Sequence, residues 1–166
     1  MTAPHFDPQF GDEELGAAEQ QLLHAAALGS LVDLRTGDAQ RDEPTRGTAW
    51  GAERTVRASV LADLLTGRRT PDRGRPRAVK LRGARITGGL DLEAAELACP
   101  LLLADCHIEQ PVNLCGCSAS AIRLPGCRLP GLAADRLCTV GDLNLDGLTA
   151  EGPSPWGEPA SAGVCR

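Results

Sequence analysis

Pairs of apolar residues separated by one residue recur through the second half of the chain. Their first members advance by 10 or 11 residues, in the order Val79/Leu81, Leu90/Leu92, Leu101/Leu103, Val112/Leu114, Ile122/Leu124, Leu132 alone and Leu143/Leu145. Alternate residues of a strand share one face, so each pair predicts a very short strand with two inward side chains. A helix would not keep this spacing across steps rich in glycine, proline and asparagine. The internal repeat therefore predicts a solenoid of short parallel strands.

A second set of inward positions lies between the pairs. Single apolar residues occur at Ile86, Leu97, Ile108, Ala119, Leu129, Leu137 and Leu148. Two positions before most of them stands a small residue: Ala84, Ala95, Cys106, Cys117 and Cys127, with Asp135 and Asp146 as exceptions. Because a thiol and a methyl group have similar volumes, these cysteines are interpreted as packing residues. We expect Cys106 and Cys127 to stack in neighbouring coils.

The segments LRGARITGGLDLEAAEL and IRLPGCRLPGL resemble pentapeptide-repeat proteins, whose loose consensus is small–polar–apolar–polar–glycine. The resemblance implies a square coil of four pentads in which the central apolar residue and the preceding small residue point inward. On matching positions it implies inward centres at Leu81, Ile86, Leu92, Leu97, Leu103, Ile108 and Leu114, and inward small residues at Ala84, Ala95 and Cys106. The steps here alternate between five and six residues, so the corners must absorb extra residues.

The chain also resembles an actinobacterial group of degenerate repeats with an N-terminal helical segment similar to WGAERTVRASVLADLL. Members of that group are sometimes labelled membrane-associated oxidoreductases. The resemblance covers about residues 14–150, and its motifs imply a fold rather than a reaction. We predict a mainly β fold: a right-handed quadrilateral parallel β-helix of about three and a half coils with a short α-helical N-terminal cap.

Three zones are predicted along the chain. Residues 1–78 form the helical cap and an arginine-rich loop, residues 79–150 the solenoid, and residues 151–166 a flexible tail. In the first zone, the apolar spacing predicts helices within residues 13–34 and over 52–65, with stops at Gly29 and Gly67 and a loop over 36–49. We expect the helices to cover the N-terminal strand edges. The other end is open for self-association, plugged by Trp156, or continued in a longer protein.

The formal net charge of −5 is unevenly distributed. Residues 68–85 are strongly basic, whereas residues 1–45 and 86–166 are acidic. A basic band can contact phosphates or anionic lipid, although such a proline- and glycine-rich run is more often a solvated linker. The candidate patch for an anionic surface consists of Arg68, Arg69, Arg73, Arg75, Arg77, Lys80, Arg82 and Arg85. The repeat has no aromatic residue for base stacking, which disfavours a nucleic-acid partner.

The sequence Cys115-Gly-Cys117, with Cys106 and His107 upstream, is the only cluster of metal-ligand residue types. Structural zinc sites usually have two cysteine pairs, or one pair with paired histidines. We therefore predict no metal and keep these four residues as the candidates to inspect. No Gly-x-Gly-x-x-Gly follows a predicted strand and no Cys-x-x-Cys is present, so we predict neither a cofactor nor a catalytic residue.

The sequence contains no run of about 20 apolar residues and no signal peptide at its N-terminus. We expect a cytoplasmic protein, at most peripheral at the inner face of the membrane. The favoured function is a non-enzymatic scaffold or protein-interaction module that binds another protein. An end-to-end homodimer and a weak contact with an anionic membrane remain open.

Two other functions compete with the scaffold. The first is a membrane-associated oxidoreductase, which is implied by the family label alone. The second is an acidic rod that mimics DNA, as some pentapeptide-repeat proteins are; the carboxylates predicted to face water are Asp91, Glu93, Glu96, Asp105, Glu109, Asp135, Asp142 and Asp146. A DNA mimic requires a longer and more regular rod, and an oxidoreductase requires a cofactor or a reactive thiol pair that the sequence does not indicate. The scaffold is therefore favoured over both.

Overall fold

The computed structural model describes residues 15–71 and 74–150. In these ranges the α-helices are α1 (Ala17–Leu28) and α2 (Ala58–Thr66), and 3-10 helices span Pro44–Ala49 and Ala52–Arg54. The strands are β1 (Leu31–Asp33), β2 (Thr55–Arg57), β3 (Val79–Arg82), β4 (Arg85–Thr87), β5 (Leu90–Asp91), β6 (Leu101–Ala104), β7 (His107–Ile108), β8 (Val112–Asn113), β9 (Ser118–Ala119), β10 (Ile122–Arg123), β11 (Arg128–Leu129), β12 (Leu132–Ala133), β13 (Cys138–Thr139), β14 (Leu143–Asn144) and β15 (Thr149–Ala150).

The strands form four parallel sheets, one for each side of a quadrilateral solenoid of about three turns. Sheet A contains β1, β3, β6, β10 and β14; sheet B contains β2, β4, β7, β11 and β15; sheet C contains β5, β8 and β12; sheet D contains β9 and β13. The coils stack through backbone hydrogen bonds, such as that from Val79 N to Pro100 O at 2.9 Å. The predicted quadrilateral parallel β-helix is confirmed.

The interior is filled by the residues that the repeat predicted. The seven inward centres, from Leu81 to Leu114, are at most 7% exposed, and Ala84 and Cys106 are fully buried. Ala95 is partly buried and packs against the core. At the position of the isolated Leu132 the missing partner is Ala134, which is 4% exposed. Alanine completes this pair with too small a side chain to stand out in the apolar pattern.

Two of the predicted single inward positions are shifted by two residues. Cys138 pairs with Ser118, so Leu137 lies above Cys117 in the position of the small residue, and Thr139 takes the centre. On the next side of the coil, Leu148 likewise lies above Cys127, and Ala150 occupies the central position above Leu129. Leu137 is inward, as predicted, and Leu148 is partly buried. Their assignment to the central position was wrong because a leucine here occupies the position that holds a small residue in the earlier coils, while Thr139 and Ala150 occupy the centres.

The segment before Val79 contributes strands as well as helices. Residues 52–57, predicted as helical, form a 3-10 turn and β2, and α2 begins only at Ala58. The helix prediction was wrong there because Val56, between two polar residues, satisfies a strand face and packs above Ile86 of β4. β1 pairs with β3 in the same way, so the hydrogen-bonded ladder starts within the first predicted zone.

The two helices cover the N-terminal end of the solenoid, as predicted. α1 packs against β1, β2 and β3, and α2 packs against β2, β3 and β5. Leu22 of α1 and Leu61, Leu64 and Leu65 of α2 are fully buried. Ala98 N donates a hydrogen bond of 2.7 Å to Leu65 O, which joins the end of α2 to the first coil. The strand edges at this end are therefore covered by the chain itself. Trp156 and the predicted tail lie outside the described residues.

Stacked corner residues of the solenoid adopt the left-handed conformation. At one corner Ala94, Gly116 and Arg136 follow one another from coil to coil with φ of 54°, 66° and 55°. A Cβ atom makes this conformation unfavourable by about 1 kcal/mol or more. Only the middle residue of this column is glycine, so the neighbouring corners contain backbone strain.

Candidate interaction surfaces

The eight residues of the predicted basic patch are distributed over several parts of the fold. Arg68 and Arg69 follow α2, Arg75 and Arg77 precede β3, Lys80 and Arg82 lie on the outer side of sheet A, Arg85 lies on sheet B, and Arg73 is outside the described residues. The structure therefore does not place the described members on one face.

Two members of the patch are paired with carboxylates of the next coil. Arg82 Nε lies 2.9 Å from Asp105 Oδ2, and the Arg85 guanidinium pairs with Glu109. Arg85 also donates to the carbonyl oxygen of Trp50. Asp105 and Glu109 lie on the outer side as predicted, but both are half-buried rather than freely solvated. These arginines are therefore largely neutralised within the solenoid surface.

Arg77 and Lys80 differ, because no ion pair involves either of them within residues 15–71 and 74–150. Arg77 is exposed, and Lys80 lies on the outer side of β3 in register with Leu31 of β1. Leu31 is 47% exposed and Leu28, at the end of α1, is 56% exposed. We call these four residues the Leu–Lys surface.

An ion pair between the buried Glu19 and the half-buried Arg57 holds α1 against the solenoid, and the repeat pattern did not predict it. Glu19 is 3% exposed. Its carboxylate accepts hydrogen bonds from the backbone N, Nε and Nη2 of Arg57 at 2.9–3.0 Å, and from Gly16 N at 3.1 Å. Burial by itself raises the pKa of Glu19, but the hydrogen bonds from Arg57 and Gly16 outweigh burial and lower it. The sequence contained one signal of this ion pair, a glutamate on the apolar side of a predicted helix.

A buried cation organises the loop between β1 and β2. Arg54 is 3% exposed and donates from Nε to Gly83 O and from Nη1 to Asp42 Oδ1, both at 2.9 Å. Its guanidinium lies 3.7 Å from the centroid of the Trp50 ring, a cation–π contact. Trp50 Nε1 in turn donates to Arg41 O at 2.7 Å. This cluster ties the non-repetitive loop to the first corner of the solenoid.

The same loop covers part of the outer side of sheet B. His107 Nδ1 lies 2.9 Å from Pro44 O. A Cβ on Gly47 would come within 2.0 Å of His107 Cβ, so this close approach requires glycine. The histidine singled out as a metal candidate is thus packed beneath the 3-10 helix.

The four metal candidates are not brought together. Cys106 and Cys117 point into the core, His107 lies on the outer side of sheet B, and Cys115 is half-buried at a corner. Burial raises the pKa of Cys117 to about 11. Within the residues that the structure describes, no group of three or more histidine, cysteine, aspartate or glutamate side chains could hold a metal ion.

Cys106 and Cys127 stack in neighbouring coils, as predicted. Arg128 N donates to Cys106 O at 2.9 Å, and the Cys127 thiol donates to Leu103 O at 2.9 Å. Burial, together with the hydrogen bond and charge of Cys127, raises the pKa of Cys106 well above its ordinary value. A buried protonated thiol is a poor nucleophile and a poor metal ligand, so this pair serves packing.

At the C-terminal end the interior columns become exposed. Leu143, Leu145 and Leu148 are only partly buried, whereas Ile122 and Leu124, one coil below, are at most 1% exposed. Val140 is 96% exposed. Among the described residues, β12, β13, β14 and β15 each form the edge of their sheet.

Comparisons with protein-family models, with curated proteins and with solved structures find no match to this chain. The fold is compatible with a pentapeptide-repeat β-helix, while membership of that family stays a prediction. Neither α1 nor α2 has the length and apolar character that a membrane-crossing helix needs, and the described residues contain no other α-helix.

Proposed function

We propose that the chain is a non-enzymatic protein-interaction module that joins a second copy of itself through the C-terminal end of the solenoid. One observation supports the proposal: Leu143, Leu145 and Leu148 are partly exposed in columns whose lower members are almost completely buried. Apolar area left in water costs about 25 cal/mol per Å² relative to its burial. A second layer on this end would recover the burial that the lower coils already have.

The strand edges at this end support the same partner. In the described residues, β12 to β15 have no next coil to accept their outer peptide hydrogen bonds. Such edges are templates for pairing with another chain. A two-fold axis perpendicular to the solenoid would bring identical edges and identical leucines together, so that each copy covers the other.

The proposal includes the assignment to pentapeptide-repeat proteins and a cytoplasmic location. The four-sided coil, the inward leucines and the inward small residues support the assignment. The chain departs from the family pattern in its five- and six-residue steps and in the non-glycine corners at Ala94, Asp105 and Arg136. These departures make the rod less regular than the family pattern but leave its interior pattern intact.

The mass of the purified full chain tests the proposal. Light scattering and sedimentation velocity from about 1 to 100 µM should show conversion to twice 17.4 kDa. The double variant Val140→Lys/Thr149→Lys places like charges beside the proposed contact and should weaken dimerisation at least about tenfold. Both side chains are exposed, so the fold should be retained.

Ser120→Lys is the matched control, because Ser120 lies one coil below Val140 and is also exposed. It should leave the dimer unchanged. A monomer over the whole concentration range would overturn the proposal. So would a dimer that the double variant does not weaken, or one that Ser120→Lys weakens equally.

A further inference from the structure

Two exposed leucines lie close together at the N-terminal edge of sheet A. Leu28 ends α1 and Leu31 begins β1, and they are 56% and 47% exposed. In the described part of the chain, Val140, at 96%, is the one other exposed large apolar residue. Two such side chains within one turn form a local apolar projection rather than scattered exposure.

Two cations flank these leucines. Leu31 is the register partner of Lys80, and because Val32 is buried between two exposed neighbours, Leu31 and Lys80 both face outward. Neighbouring strands are about 4.8 Å apart, so the two side chains are adjacent. Arg77 N donates to Ala26 O at 2.8 Å, which places Arg77 beside the turn between Leu28 and Leu31.

The carboxylates on this side of the solenoid do not compete for these cations. Asp33 pairs with Arg35 at 2.8 Å, Asp105 pairs with Arg82, and Asp142 pairs with Arg123. Hydrogen bonds from Arg35 lower the pKa of Asp33 to about 2, so that pair stays ionised at neutral pH. The charges left over are those of Arg77 and Lys80, and the surface is net positive although the chain is acidic.

We propose that the Leu–Lys surface docks the chain peripherally on an anionic lipid membrane. The two leucines enter the boundary between headgroups and acyl chains, while Arg77 and Lys80 meet the lipid phosphates. Basic residues near an anionic leaflet strengthen membrane binding, and inserted apolar area adds to it. A nucleic acid would use the cations but would give the adjacent leucines no apolar environment. The proposal does not depend on association at the opposite end of the solenoid.

The test is flotation of the full chain with vesicles of phosphatidylcholine alone, or containing about one third phosphatidylglycerol. We expect binding to the anionic vesicles, weak binding to the neutral ones, and loss of binding at high salt. Lys80→Glu should weaken binding about tenfold or more, and Leu31→Ser about fivefold. Both side chains are on the surface, and unchanged melting temperatures would show that the variants remain folded.

Two controls make the same chemical changes elsewhere. Arg136→Glu reverses a charge at the exposed corner between sheets C and D, and Val140→Ser removes an exposed apolar side chain in the last coil. Neither should alter vesicle binding. Absence of binding to anionic vesicles, or equal losses in the controls, would overturn the proposal. Binding to a soluble polyanion such as heparin that depends on Lys80 but not on Leu31 would overturn the lipid assignment in favour of a polyanion.

Discussion

The two ends of the solenoid contain similar coils in different surroundings. At the N-terminal end, α1 and α2 cover the strand edges, and Leu81 of the first complete coil is fully buried. At the C-terminal end, Leu145 occupies the same column in sheet A but is partly exposed. The difference shows that the same inward position contributes different amounts to stability in different coils, because each coil is buried by its neighbours on both sides.

The coverage of the N-terminal end depends on residues outside the repeat. Glu19 and Arg57, which are 38 positions apart, join α1 to β2. Arg54 and Trp50 join the intervening loop to the corner at Gly83. The described part of the C-terminal end has no equivalent to these contacts, and its last strands show the exposure expected of a terminal layer.

The largest effect is expected from a charge in the covered part of the interior. Leu103→Asp should abolish cooperative folding, because the carboxylate is buried with no partner. Leu145→Asp, in the same column, should leave a folded chain with a lower melting temperature, since its carboxylate can reach water. Circular dichroism melts of the two variants make the comparison. Equal loss of structure in both would show that the two ends are equally closed.

The next effect concerns the contact that holds the cap. Glu19→Ala should destabilise the fold by about 2–3 kcal/mol, because the half-buried Arg57 loses the carboxylate that accepts its hydrogen bonds. The free energy of unfolding in urea measures this change. Glu53→Ala, at an exposed glutamate of the same zone, should change it by less than about 0.5 kcal/mol. A loss below about 1 kcal/mol for Glu19→Ala would mean that the ion pair does not hold the cap.

The same carboxylate predicts a pH dependence. The pKa of Glu19 is lower in the native state than its ordinary value of 4.5, so the unfolded chain binds more protons and stability falls with acidification. Its contribution is complete above about pH 4.5 and is lost as the pH falls through the lowered native pKa. Glu19→Gln should flatten the stability profile in this window. An unchanged profile would contradict the assignment of this proton to Glu19.

Truncating the same column at the two ends gives a smaller, graded effect. Leu81→Ala should cost about 3 kcal/mol, because it leaves a cavity between the cap and the second coil. Leu145→Ala should cost about 1 kcal/mol, since part of its side chain is already in water. Urea unfolding measures both. The comparison must be made at a concentration where the chain is a monomer, because an end-to-end dimer would cover Leu145. Equal costs in the monomer would show that Leu145 is as well buried as Leu81.

The smallest effect is at the corners, which are similar throughout the solenoid. Ala94→Gly should stabilise the fold by about 0.5–1 kcal/mol by relieving a left-handed residue, and Gly116→Ala one coil later should destabilise it by about 1 kcal/mol. The nearest atoms to an added Cβ at Gly116 are 3.7 Å away, so the cost comes from the backbone and not from a clash. Thermal melts of both variants should shift in opposite directions.

The strands missed by sequence reasoning show the limits of the repeat pattern. β1 and β2 each contribute one inward residue, Val32 and Val56, and therefore contain no apolar pair that could be counted. Leu137 was assigned to the central position because it is the large apolar residue of its segment, whereas the pairing of Cys138 with Ser118 places it above Cys117, in the position of the small residue. The basic patch was predicted from eight residues that are close in sequence. In a solenoid the chain changes sides every few residues, so residues that are close in sequence lie on different sides.

The periodic sequence by itself determined the parallel solenoid and almost all of its inward columns, because strand alternation and side-chain volume act over a few neighbouring residues. Only the tertiary structure decided which end is covered and which charges are paired. Glu19 meets Arg57 across 38 residues, and Arg82 meets Asp105 across 23. Lys80, two residues before Arg82 and on the same side of β3, lies beside Leu31 instead. These outcomes depend on coil stacking and on the packing of a segment without repeats, and neither is encoded in local spacing.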